Sequence, residues 1–219
     1  MNHNFYLCYD FETGGKDPRT CEITQIAAVA IDPYKLEIVD SYASDVKPFN
    51  MDTLEQEALD ITKKTKEQIE TYPSAAVVWP QFASFIKKYD KAKTASKSTY
   101  NAPIPMGFNI VNYDMILFQR YCEIFKNVDG EGKQNLMNGV YKFDILDVLW
   151  NLWNFQREPS KTNLAAIKKY MGFSQESMDN AHNAIQDVSD TAAIGIKLLQ
   201  LFRNICPKIK FENSFATKA

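Results

Sequence analysis

The stretch Tyr9-Asp10-Phe11-Glu12-Thr13-Gly14-Gly15 closes an apolar run that opens at Phe5, and it reads as the end of a buried β-strand. Strand side chains alternate, so Asp10 and Glu12 point to the same face. On spacing alone, an Asp-x-Glu pair at a strand end is most simply a solvated terminus. What surrounds the pair decides whether it is more than that.

Outward from this strand, residues 22–32 form a second apolar run and residues 35–46 alternate as a third. Gly14, Gly15, Asp17 and Pro18 mark the first turn, and Asp32 and Pro33 the second. A β-meander over the first 47 residues follows. Residues 52–65 then take a helical pattern, with Asp52 or Thr53 as N-cap. Residues 74–89 repeat apolar groups at helical spacing, and Pro80 sets the expected start of that helix near itself. A short strand at 104–108 leads into a helix over 112–125, and residues 127–139 read as a loop. Residues 142–153 read as a strand running into a helix. A short amphipathic helix over 162–173 is stopped by Gly172, and a last helix spans about 184–204. Three early strands, then alternating helix and strand, predict an α/β fold with a mixed sheet flanked by helices.

The chain has 219 residues, 45% of them hydrophobic and 13% aromatic, which suits one domain over residues 1–206 with a polar tail over 207–219. A formal charge of −2 excludes a surface coated in positive potential, but a local patch suffices for nucleic acid. Cys8, Cys21, Cys122 and Cys206 show no CxxC spacing, so ordinary thiols are expected rather than a zinc site or disulfide frame. No stretch approaches the roughly 20 apolar residues that span a bilayer, so a cytoplasmic protein without membrane contact is expected.

Three further positions carry chemistry. Asp114 follows the short middle strand, on the first turn of its helix, where the helix dipole favours a carboxylate. His182 stands five residues before Asp187, at the entry to the last helix. Each is ordinary alone; the order of all of them is not. Asp10-Phe11-Glu12-Thr13, Phe108-Asn109-x-x-x-Tyr113-Asp114 and His182-x-x-x-x-Asp187 resemble the three exonuclease motifs of the DnaQ-like 3′–5′ exonuclease superfamily, the last in the form of its DEDDh branch. The similarity runs from about Phe5 to Leu201. Two positions depart from the family pattern: Lys16 stands where a leucine is common, and Phe108 where a histidine often precedes the asparagine.

The resemblance implies an RNase H-like core and two divalent cations, Mg²⁺ or Mn²⁺. Asp10, Glu12, Asp114 and Asp187 would be the metal ligands and His182 the general base. Phosphodiester hydrolysis needs an activated water, in-line approach and relief of charge on the leaving oxygen, and a pair of metals about 3.5–4 Å apart supplies all three. Hard cations take oxygen donors, hence carboxylates. His182 would accept the proton of the attacking water, a role its ordinary pKa near 6.5 suits. Thr13 and Gly14 would offer backbone N–H groups to the 3′ end, Asn109 would order the second motif, and Phe108 is a candidate for base stacking.

The expected reaction is removal of nucleoside 5′-monophosphates from the 3′ end of single-stranded or frayed DNA. Within the same chemistry the alternative is an RNA-trimming, oligoribonuclease-type enzyme. From another class comes a non-catalytic module that binds an end or a polymerase. The sequence leaves a homodimer open. Five lysines over residues 87–97 read as a solvated helix end and loop rather than a phosphate-tracking patch. The run Leu149–Phe155, with Trp150 and Trp153 three apart on a helix, reads as core rather than a stacking platform.

Overall fold

A computed structural model describes residues 4–91, 99–174 and 184–208. His182, part of the lysine-rich segment and all but the start of the expected tail lie outside the described residues. Strands β1 (Tyr6–Thr13), β2 (Ile23–Ile31) and β3 (Ile38–Asp45) form the expected antiparallel meander. Strands β4 (Ile104–Gly107) and β5 (Phe143–Asp144) add in parallel, giving the order β3-β2-β1-β4-β5. The helices are α1 (Gln56–Thr62), α2 (Lys66–Glu70), α3 (Ala75–Lys87), α4 (Asp114–Ile124), α5 (Ile145–Trp153), α6 (Leu164–Tyr170) and α7 (Ala184–Ile205). The mixed, helix-flanked sheet is the RNase H-like, DnaQ-like architecture expected. Among the described residues no helix is long and apolar enough to cross a membrane.

The period-two logic of β1 explains where its charges fall. Leu7, Tyr9 and Phe11 point into a core with Trp79, Phe82, Leu117, Phe118 and Tyr121 of α3 and α4. Cys8 points to the other side, into a core with Val188 and Ala192 of α7. Asp10 and Glu12 continue that second face beyond the point where apolar packing ends. Half of one strand face is core, and the other half is left for the carboxylates.

Two helix starts differ from expectation. The helix placed to begin at Asp52 or Thr53 begins at Gln56, because residues 51–53 form a separate 3₁₀ turn in which Asn50 accepts from the Asp52 N–H at 2.9 Å. Leu54 and Glu55 are drawn out between them. Glu55 N–H donates to the Gly14 carbonyl at 2.7 Å, and Leu54 packs so close that a Cβ on Gly14 would lie 2.3 Å from its Cδ2. Helix α3 starts at Ala75, one turn and more before Pro80. A proline inside a helix costs about 3 kcal/mol, but each fully buried side chain on α3's inner face (Val78, Trp79, Phe82, Ile86) returns roughly 1.5–3 kcal/mol. Packing wins. Pro80 is exposed, as is Ala76, whose carbonyl loses the N–H a proline lacks.

The run Leu149–Phe155 is corrected as well. Leu149 is core and Leu152 and Trp153 pack half-buried against it, but Trp150 is 56% exposed and Phe155 79%. Ile145 and Leu149 fill the inward positions of α5, one turn apart, which turns Trp150 outward. Of the described lysines in the 87–97 segment, Lys88 lies 3.5 Å from Asp40. This is the end of the sheet where β1 begins, away from Asp10 and Glu12.

Candidate active site

Asp10, Glu12, Asp114 and Asp187 line one cleft of about 750 Å³. Strand β1 supplies the first pair. Strand β4 pairs with β1 only as far as Cys8–Met106, and beyond that point the Phe11 N–H has no strand partner on that side. Asp114 fills the gap, its Oδ1 accepting from Phe11 N–H at 3.0 Å. Asp187 comes from the first turn of α7, which lies along β1 and β2, with Cys8 Sγ donating to the Val188 carbonyl at 3.7 Å. Gln25, opposite Glu12 on β2, accepts from the Ala184 N–H at 3.4 Å and fixes where α7 starts.

The loop of the second motif is held from beneath. Asp144, the N-cap of α5, accepts N–H bonds from Asn109 (2.9 Å), Val111 (3.1 Å) and Leu146 (3.0 Å). Asn109 sits in the left-handed region at φ 59°, its Oδ1 accepting from Asn112 at 3.0 Å. Phe108 and Asn109 both line the cleft. Tyr113 ties this loop to the first motif: its hydroxyl donates to the Gly15 carbonyl at 2.7 Å and lies 2.6 Å from Thr13 Oγ1. Neither Thr13 nor Gly14 is among the residues lining the cleft. The Gly14 N–H is bound to the Glu22 carbonyl at 2.9 Å, so the expectation that it meets a 3′ end is withdrawn. Lys16 also lies outside the cleft wall and pairs with Glu57 at 2.6 Å, both side chains exposed.

The carboxylates repel. Burial, then the charge of Asp187, pushes Asp10 up to about 7. Burial followed by Asp10 and Asp187 pushes Glu12 up to about 8, with Lys64 opposing in part. Burial and Asp10 raise Asp114 well above the usual carboxylate range, against the pull of its bond from Phe11. Among the described residues no group of three or more His, Cys, Asp or Glu side chains stands gathered to hold an ion in this arrangement. Two of the four are turned to other partners: Asp114 to the Phe11 N–H and Asp187 to Lys168 Nζ at 3.4 Å. The donors nonetheless suit a hard divalent cation: all are carboxylate oxygens, from three elements, facing one cleft, and burial followed by neighbouring charge raises Asp10, Glu12 and Asp114.

Lys168 is the site residue that sequence reading missed. It is 1% exposed, lines the cleft from α6, and lies 2.5 Å from Asp190 as well as 3.4 Å from Asp187. Leu146 and Leu164 add apolar side chains to the cleft wall. His182, expected as the base, lies outside the described residues.

Comparison with known proteins places this geometry. A family model described as Exonuclease matches residues 7–194. No curated protein sequence matches the chain. Among solved structures, E. coli exonuclease I in complex with a dT13 oligonucleotide is similar with a TM-score of 0.70 at 19% identity, over 94% of this chain and 43% of that one. Cell-death related nuclease 4 is similar at TM-score 0.66 and 19% identity, over 90% of this chain and 64% of that one. A full-length 3′-exonuclease matches at TM-score 0.64 and 19% identity, over 91% and 83%. At such identities these structures speak for the fold. The chain spans less than half of exonuclease I.

Proposed function

This chain belongs to the exonuclease family, and from that membership we propose that it is a metal-dependent 3′–5′ exonuclease releasing nucleoside 5′-monophosphates from single-stranded or frayed DNA. The observation that carries the reading is the convergence of Asp10, Glu12, Asp114 and Asp187 on one cleft, with burial and neighbouring charge raising the pKa values of Asp10, Glu12 and Asp114. Structural neighbours favour single strands: exonuclease I is described with dT13 and dA16 oligonucleotides, and in a zinc-bound complex with single-stranded DNA.

The four carboxylates would hold two divalent cations, Mg²⁺ or Mn²⁺, which when bound supply Lewis-acid charge to the scissile phosphate and its leaving oxygen. The chain's own part is positioning. Strand β1 holds Asp10 and Glu12 near the end of the sheet's central strand, and α4 and α7 bring Asp114 and Asp187 to it. Lys168 orients Asp187. Phe108, Leu146 and Leu164 offer apolar walls to the terminal nucleoside. His182 would take the proton from the attacking water.

The test is degradation of 5′-labelled single-stranded DNA and RNA with Mg²⁺ or Mn²⁺, comparing the wild type with Asp10→Ala and His182→Ala. The expected result is a ladder shortening from the 3′ end, with His182→Ala slower by about 10²–10⁴-fold and Asp10→Ala inactive. Wild-type rates in Asp10→Ala would overturn the reading. The DNA and RNA arms decide between the two substrate classes.

A further inference from the structure

A second groove, of about 200 Å³, adjoins the active-site cleft. The two share a wall made by Leu146 and Thr162, so a strand leaving the cleft over these residues enters the groove directly. Leu149, Trp150, Trp153, Arg157 and Pro159 form its sides. The two tryptophans are held differently. The Trp153 ring packs edge-on against Tyr170, with centroids 5.1 Å apart and an interplanar angle of 69°. Trp150, 56% exposed, stands beside it and makes no ring pair among the described residues. Arg157 is exposed at the rim and makes no ion pair among the described residues.

A large aromatic face left in water costs apolar hydration, and a guanidinium without a carboxylate beside it is an anion site in waiting. Side by side and continuous with a phosphodiester cleft, they match the two parts of a nucleotide: a planar base and a charged phosphate. We propose that this groove is a base-stacking subsite, in which Trp150 stacks on a nucleobase upstream of the scissile bond while Arg157 faces the adjoining backbone phosphate. The proposal rests on the exonuclease reading for its substrate and deepens it. A base can lie on Trp150 only when free of its complementary partner, so the subsite selects single strands over duplex.

The experiment follows tryptophan emission of the full chain, with Ca²⁺ in place of Mg²⁺ so that strands bind without being cut. The probes are a single-stranded DNA octanucleotide, its RNA counterpart, the blunt duplex, and DNA strands carrying one abasic residue at successive positions from the 3′ end. Emission is expected to quench on the single strands, and one abasic position weakens wild-type binding about ten-fold. Trp150→Ala weakens binding of the intact strand by a similar factor and no longer senses that abasic position. Trp150→Phe restores most of the affinity, and Tyr34→Ala, an exposed aromatic on the β2–β3 turn, serves as the control. If Trp150→Ala binds intact and abasic strands as the wild type does, the groove has another occupant, a segment of this chain or a second copy, and the proposal fails. Hydrolysis of strands with no dependence on Trp150 sinks the subsite and leaves the exonuclease reading standing. Trp150-dependent binding without hydrolysis in Mg²⁺ or Mn²⁺ does the reverse.

Discussion

Lys168 and Lys169 are neighbours in sequence and opposites in the structure: the first is 1% exposed, the second lies in solvent. A buried ammonium is costly unless paired, and here Asp187 and Asp190 pair it while Gln186 Nε2 donates to Asp190 Oδ1 at 2.9 Å. Removing the cation leaves Asp187 and Asp190 without a counter-charge, Asp187 beside the already crowded Asp10 and Glu12. Lys168→Met is therefore expected to destabilise the metal-free protein by about 3 kcal/mol, read as a lower urea midpoint; an unchanged midpoint would show that the pair is solvated. Nothing in the sequence separates the two lysines. A lysine pair near the end of a short amphipathic helix reads as surface, and only the packing of α6 against α7 shows which one turns inward. Asp10 and Glu12 were legible for the opposite reason: strand periodicity is local, and it fixed their common face without any tertiary information.

At the scale of elements, the strands, the middle helix and the last helix follow from their patterns, and the misplaced starts have tertiary causes. Leu54 leaves the helical path to pack beneath Gly14, and α3 runs through Pro80 because its buried face is worth more than one backbone bond. The exposure of Trp150 was hidden because a helical spacing of three does not say which side of the helix meets the sheet. The close of β4 is more informative. A glycine in a strand often marks a close approach, and a Cβ on Gly107 would lie 2.1 Å from Ile110 Cγ2 and 3.1 Å from the Tyr9 carbonyl oxygen. Ile110 is buried and its loop is pinned by Asp144, so it has little room to yield. Gly107→Ala should cost about 1–3 kcal/mol by overpacking and, because Phe108 and Asn109 follow at once, also raise KM. A midpoint and KM both at wild-type values would mean the loop moves freely.

For the whole molecule, the acid cluster links stability to both pH and metal. In the unfolded chain Asp10 and Glu12 titrate near 3.8 and 4.5; in the fold they are pushed up to about 7 and about 8. Between these limits the folded state holds protons that the unfolded state has lost, so stability falls as pH rises. The penalty is absent below about pH 4 and complete above about pH 8. The metal-free protein should therefore melt at a lower temperature at pH 8 than at pH 5, and Asp10→Asn, which removes one repelling charge, should flatten that slope. Divalent cations bind the ionised carboxylates and compete with those protons, so their effect runs the other way. Mn²⁺ at about 100 times its Kd should stabilise by about 2.7 kcal/mol near pH 8 and by progressively less as the acids protonate. Melting curves across this pH range, with and without Mn²⁺, read both effects together. A metal-free melting temperature that climbs from pH 5 to pH 8 would mean that other groups govern the acid response. A Mn²⁺ shift as large in Asp10→Asn as in the wild type would place the cation away from β1, and the four carboxylates would then need another explanation for standing together.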